Sequence, residues 1–391
     1  MNQILIQLYK RYFLLFWSLC FSLIQLPLLS TFPSIIWDEP LYAETAYSFL
    51  KTNQFYNTLG GHSGQLIFLY PLLISMGFKL FGMSLTIGRL VSFSLGLISL
   101  LSIKKLGSFF KFSLSTQSFI MCCITFSNFL YINFRVIRPE SLTICIISLL
   151  LVTLVSYLHS QKTYYLPLIG LCISMSFLIH QTALILATLI GLFTLFHLIQ
   201  TKRYTHILYV GIGALPSIGL LIYHILVWRQ DTIPHFFYLL KSTGKLNTTP
   251  NTTLVIYNLY HSFFKGYILG WKRAFITVIE FATLFYGLSQ FKRNKPYFFI
   301  SLLAISYFSL GLVCFNTFLR PYYSLFPALC ILCFGFILSN PPFNKKILSG
   351  LLTLYLLNNI AGFLYIQNKF WDLPSSTTIT KQIAKHIPTN S

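Results

Sequence analysis

The sequence predicts an all-α fold, a polytopic transmembrane helix bundle of about 11 spans, and three observations carry that expectation. Hydrophobic residues make up 55% of the chain and charged residues 9%, with a mean hydropathy of +0.70. That is more apolar surface than a soluble domain of this length hides, because even a large core leaves a mostly polar shell. Apolar runs of about 18 residues or more, the length that spans a bilayer, recur along the chain. Lys and Arg gather in short clusters between those runs, which is how membrane helices are oriented. The formal charge of +21 therefore reads as a topology signal, and no nucleic-acid partner is expected.

In chain order the runs cover 12–30, 84–103, 114–132, 139–157, 164–180, 182–200, 206–227, 267–288, 297–316, 321–339 and 346–366. Lys10 and Arg11 precede the first run and no small-residue cleavage signal follows it, so it reads as an uncleaved span with its basic end inside. The segment "LYAETAYSFLK" (41–51) reads as a short amphipathic helix. The apolar segment 65–82 contains Pro71, Gly77 and Lys79, and reads as a helix lying at the interface or re-entering. All eight Cys fall inside apolar runs, with Cys330 and Cys333 one helical turn apart; they read as small packing residues and not as a disulfide framework or a zinc site. Residues 1–366 form one transmembrane module and 367–391 a short outer tail. No internal repeat is visible.

The connections alternate. Lys104, Lys105 and Lys111, then Lys162, then Lys202 and Arg203, then Lys292, Arg293 and Lys295, then Lys345 and Lys346 lie in one set. With Lys10 and Arg11 they mark the cytoplasmic face, since tight clusters in short loops are where the rule applies best. The other set also carries cations, among them Arg135, Arg138, Arg229, Lys241, Lys245, Lys272, Arg273 and Arg320, and these need another explanation. Every acidic residue except Glu280 maps to that second, outer set: Asp38, Glu39, Glu44, Glu140, Asp231 and Asp372.

Three of the chain's seven acids crowd into "WDEPLYAETA" (37–46). Asp38 suits an N-cap, Glu39 a first helical turn, and Pro40 fits there too. Capping accounts for one of the adjacent acids and not for both. "RVIRPE" (135–140) has Pro139 and Glu140 opening a helix, with Arg138 ahead of them. "NTFLRPYY" (316–323) repeats the Arg-Pro start at Arg320. Carboxylates and guanidiniums thus converge at helix ends on one side of the membrane.

In these segments the chain resembles GT-C superfamily membrane glycosyltransferases, in the branch of protein O-mannosyltransferases, lipid A aminoarabinose transferases and lipopolysaccharide-core galacturonosyl transferases. The likeness rests on the acid pair Asp38 and Glu39, then His62 in "GGHSGQLIFLYPLL", then Gly82 and Arg89 in "LFGMSLTIGRLVS", then "RVIRPESLTI", over roughly residues 30–150. "RPYYSLFPALCIL" adds a later element at 320–332. The Pro-Pro that often follows the loop His or Lys is replaced here by Ser63, Gly64 and Gln65.

The resemblance implies a GT-C bundle with interfacial helices in the first outer loop and a glycosyltransferase drawing a sugar from a polyprenyl-phosphate donor. The catalytic group would be Asp38, Glu39 and Glu140. Asp38 would be the base for the acceptor hydroxyl, Glu39 would orient acceptor or sugar hydroxyls, and Glu140 would hold Arg138 or touch the acceptor. The phosphate and substrate ligands would be Arg138, Arg320, Arg135, His62 and Tyr322. Guanidiniums suit phosphate because they meet its oxygens as a fork. A polyprenyl phosphate leaves readily, which favours one inverting displacement over the two-carboxylate scheme of hydrolases. The acceptor is expected to be a glycan, glycolipid or protein. No cofactor is expected: adjacent acids can bind a divalent ion, but the relatives mostly do not need one. The expected location is a bacterial inner membrane with the site facing the periplasm or exterior. The alternative is a polyprenyl- or glycolipid transporter or flippase without transfer chemistry, which repeat symmetry and ionisable residues at the midplane would mark.

Overall fold

Among the described residues of this computed structural model (3–30, 39–57, 61–62, 68–227, 274–314 and 325–371) there are fourteen helices and one two-residue β pairing. Helix α1 (Gln3–Gln25) leaves helical geometry at Tyr12 (φ −104°, ψ 16°). Lys10 and Arg11 lie inside this helix, not ahead of it as the span 12–30 would have them. Long cationic stems pack along apolar surface, and Arg11 lies over the Tyr12 ring at 5.5 Å.

The first long connection holds α2 (Glu39–Thr52), β1 (Tyr56–Asn57), β2 (Gly61–His62) and α3 (Leu69–Phe81). Glu39 and Pro40 stand in the first turn of α2, as acidic and proline side chains prefer. The β pairing is antiparallel and sets Tyr56 opposite His62. Helix α2 packs on α3, with Tyr42 edge-on to Tyr70 at 5.9 Å. These are the helices expected between the first two spans.

Helix α4 (Leu85–Phe109) starts at a Ser84 cap, whose hydroxyl accepts from the Ile87 amide at 3.2 Å. The run 114–132, expected as one span, is two pieces: α5 (Leu114–Thr125) and α6 (Asn128–Asn133). Ser127 ends the continuity, its hydroxyl accepting from the Leu130 amide and starting a new helix. Serine competes in this way for backbone donors. There follow α7 (Glu140–Ser160), α8 (Tyr165–Ile179), α9 (Gln181–Gln200), α10 (Tyr204–Val227), α11 (Ala274–Ser289), α12 (Lys295–Cys314), α13 (Phe326–Ser339) and α14 (Lys345–Trp371).

Each of the expected runs overlaps a helix. Five stretches are long and apolar enough by themselves to cross a membrane: Leu85–Phe109, Glu140–Ser160, Thr182–Gln200, Tyr204–Leu226 and Lys345–Tyr365. The chain is thus an integral multi-pass membrane protein. The expected count of about 11 is not reached by that criterion. Helix α7 is central, with 72% of its apolar window buried against 11% for α10, whose Leu208, Ile212, Leu215 and Leu226 are exposed. Cys123, Cys145, Cys330 and Cys333 are free and buried in the core, the packing role expected of them. Glu280 is buried in α11 and accepts a hydrogen bond from the Tyr355 hydroxyl of α14 at 3.3 Å. His180 is buried and caps α9, its Nδ1 accepting from the Thr182 amide at 3.3 Å.

Candidate active site

The site is built where the starts of α2, α4 and α7 meet the end of α1. Two glycines on one stripe of α4 let the segment between α6 and α7 lie directly on that helix. A Cβ at Gly96 would stand 2.6 Å from Cγ of Phe134, and one at Gly88 2.4 Å from Cδ1 of Ile137. Residues Phe134 to Glu140 are all buried as a result. A buried turn must find partners for its backbone groups, and here side chains supply them. Ser92 of α4 donates to the Val136 carbonyl at 2.7 Å, and the Ile137 amide donates to Oε1 of Glu39 at 3.0 Å.

Glu39 is therefore more than a first-turn acid. Nε of Arg89 donates to its Oε1 at 2.7 Å and Nη2 to its Oε2 at 2.8 Å, a fork with both side chains fully buried. Nη1 of Arg89 donates to the Leu29 carbonyl at 2.9 Å. One ion pair thus joins the end of α1, the start of α2, the second turn of α4 and the turn before α7. A carboxylate in an apolar interior is tolerated when it is paired and hydrogen-bonded in this manner.

The two arginines of "RVIRPE" part company. Arg138 reaches forward, Nη2 to Oε1 of Glu140 at 2.7 Å, at the first residue of α7. Arg135 reaches back to the carbonyls of Gln25 and Pro27 and lies over the Tyr131 ring at 5.4 Å. Those carbonyls belong to the C-terminal end of α1, where a cation is electrostatically favoured. Burial pulls the Arg135 guanidinium below its ordinary pKa, and the positive charge of Arg89 adds to the effect while Tyr131 opposes it.

Tyr70 of α3 joins the same cluster. Its hydroxyl is 2.7 Å from Oγ of Ser92. Because Ser92 gives its only proton to Val136, Tyr70 is the donor in that pair. The interfacial helix is thereby tied to the turn that carries the arginines.

Of the residues expected from sequence, Glu39, Arg135, Arg138 and Glu140 are brought together. Asp38, Arg320 and Tyr322 lie outside the described residues, as does the side chain of His62. Three guanidiniums, Arg89, Arg135 and Arg138, share the site with two carboxylates, Glu39 and Glu140. Sequence reading placed Arg89 in the likeness but gave it no role. Its signal was a permanent cation five residues into an apolar run, which calls for a buried partner. Tyr70 and Ser92 carry no comparable signal.

No protein-family model matches the sequence, and neither does any curated protein. Solved structures do. ArnT from Cupriavidus metallidurans bound to undecaprenyl phosphate superposes with a TM-score of 0.61 at 12% identity, covering 100% of this chain and 82% of that one. The same protein in the apo state gives 0.56 at 12% identity, covering 93% and 76%. The chain therefore has the fold seen in ArnT.

Proposed function

We propose that this protein is a membrane glycosyltransferase that moves a sugar from a polyprenyl-phosphate donor to an acceptor hydroxyl on the outer face of a bacterial inner membrane. The observation that carries the reading is the whole-chain likeness to an ArnT structure holding undecaprenyl phosphate. The cluster of guanidiniums and carboxylates at one end of the bundle agrees with it. An outer-face site has no supply of nucleotide sugars, so its donor arrives with the membrane.

In the proposed step the acceptor oxygen attacks the anomeric carbon while the bond from that carbon to the phosphate oxygen breaks, inverting the centre. Asp38 takes the acceptor proton, a contribution of ~10²–10⁴-fold. The departing phosphate keeps the bonding electrons, and Arg138, with Arg320, Tyr322 and His62, meets its charge. Glu140 orients Arg138. Glu39, forked to Arg89, is assigned a positioning role: it fixes the chain beside its covalent neighbour Asp38. Arg135, spent on the α1 carbonyls, is likewise assigned to hold the turn. No metal is assigned to the step, because the leaving group is stable once its charge is met. The acceptor is a glycan, a glycolipid or a protein.

The test is transfer in proteoliposomes from a polyprenyl phosphate carrying a radiolabelled sugar. Label appearing on an acceptor, with free polyprenyl phosphate as co-product, supports the reading. Movement of intact labelled lipid across the bilayer with no cleavage of the sugar–phosphate bond would replace it with a flippase.

A further inference from the structure

A second charged cluster occupies the opposite end of the bundle, where α4, α7 and α9 end and α8 and α10 begin. Lys105 lies over the Phe109 ring at 5.2 Å at the end of α4, and Lys162 over the Tyr164 ring at 5.9 Å just before α8 (Tyr165–Ile179). Arg203, immediately before α10, reaches the Gln161 carboxamide and lies 3.5 Å from the Tyr157 hydroxyl. That hydroxyl is 2.8 Å from Nδ1 of His206, and His159 stands beside Phe109 at 6.2 Å. No Asp or Glu occurs in 101–111, 157–165 or 197–206. Helices α8 and α10 both start at this end, neither has an acidic residue in its first turn, and no side chain caps α8. At the start of α8 the Tyr165 and Leu166 amides already donate to the Lys162 and Thr163 carbonyls and Pro167 has no N–H, so the attraction for an anion here comes from the cations and the helix dipoles.

The same two helices enclose an apolar groove. Their backbones touch: a Cβ at Gly170 would fall 1.9 Å from the Val210 carbonyl oxygen, and one at Gly213 1.9 Å from that of Pro167. Beside this crossing lies a cavity of about 370 Å³, lined by Gly170, Ile173 and Phe177 of α8 and by Val210, Ala214 and Leu221 of α10. Its first lining residues, Gly170 and Val210, come eight residues after Lys162 and seven after Arg203, or ~10–12 Å along each helix. A phosphate at the helix starts and a hydrocarbon chain between the helices fit one molecule.

We propose that the starts of α8 and α10 form a binding site for an anionic phospholipid, its phosphate held by Lys162 and Arg203 and one acyl chain laid in the groove between those helices. Cations placed only to orient spans need no groove beneath them, and an apolar groove filled by bulk lipid needs no cations above it. This site is separate from the candidate active site and does not depend on the assignment of the transfer reaction.

The experiment is thermal unfolding of the full chain in detergent, titrated with phosphatidylglycerol, with phosphatidylcholine or with inorganic phosphate. Phosphatidylglycerol is expected to raise the melting temperature saturably, and the other two to leave it unchanged. Lys162→Gln with Arg203→Gln should raise the half-saturating lipid concentration about tenfold or more, since each cation near an anionic headgroup is worth about a factor of five. Gly211 also lines the cavity, and Gly211→Leu probes the chain. A Cβ there meets nothing within 4 Å, so the variant should keep its lipid-free melting temperature and lose most of the phosphatidylglycerol shift. A full shift with inorganic phosphate alone would make this a soluble-anion site. Unchanged titrations in the double variant, or in Gly211→Leu, would overturn the proposal.

Discussion

Arg89 and Glu39 are fifty residues apart in the chain and form a fork of two bonds, 2.7 and 2.8 Å long, with no exposed surface on either side chain. Breaking such a pair from one side costs far more than replacing both members, because the survivor is left charged in an apolar interior. Arg89→Ala is expected to lose about 3–5 kcal/mol of stability, read as a collapse of the melting temperature in detergent. Arg89→Met combined with Glu39→Leu should recover much of that loss. A single Arg89→Ala variant as stable as the parent would show that the fork holds nothing together.

Asp38→Asn separates a cap from a base. Asn caps a helix about as well as Asp, so folding and donor binding should survive. Turnover should fall by ~10²-fold or more if Asp38 takes the acceptor proton. Glu39→Gln should show the reverse pattern, a lower melting temperature with a smaller loss of turnover per folded molecule. Near-normal transfer by folded Asp38→Asn would remove the base assignment.

Arg138 and Arg135 sit three residues apart and should behave differently. Arg138→Ala is expected to weaken undecaprenyl phosphate binding by about tenfold or more, the worth of a charge-assisted bond. Arg135→Ala should instead lower the melting temperature, since it releases the end of α1. Calorimetric titration of both variants decides between them; equal losses of affinity would put Arg135 back among the phosphate ligands.

Gly96→Ala tests the turn. The added methyl meets Cβ and the ring of Phe134 at 2.6–2.9 Å, where the side chain has little room to yield. Overpacking of this kind costs about 1–3 kcal/mol and should push the arginine-bearing turn off α4, weakening lipid-phosphate binding as well as stability. Gly88→Ala should be milder, because it meets the far end of Ile137.

An odd number of spans puts the termini on opposite sides. If the expected count of about 11 crossings holds, a Cys at Asn2 should label only from the cytoplasmic side and one at Ser391 only from outside. Labelling of both from one face would mean that one of the shorter helices does not cross.

What the sequence made legible was local. The Arg138–Glu140 pair could be read because its members flank Pro139 at a helix start, and the buried cysteines because each sits in an apolar run. The Arg89–Glu39 fork could not, since its partners are distant and only an isolated cation in a greasy stretch hinted at it. Arg135 was unreadable for another reason: its partners are carbonyls, which every residue carries. The break after Thr125 escaped notice because hydropathy is continuous across it, and one serine hydroxyl decides where the helix restarts.

The touching backbones of α8 and α10 also bear on how the protein is made. The two helices run the same way, so α9 must cross back before they can meet. Gly170 leaves the ribosome about forty residues ahead of Gly213. At ordinary synthesis rates of roughly 5–20 residues per second, α8 waits several seconds in the bilayer for its partner. Until then Gly170 has no partner for the close backbone approach that its missing side chain allows.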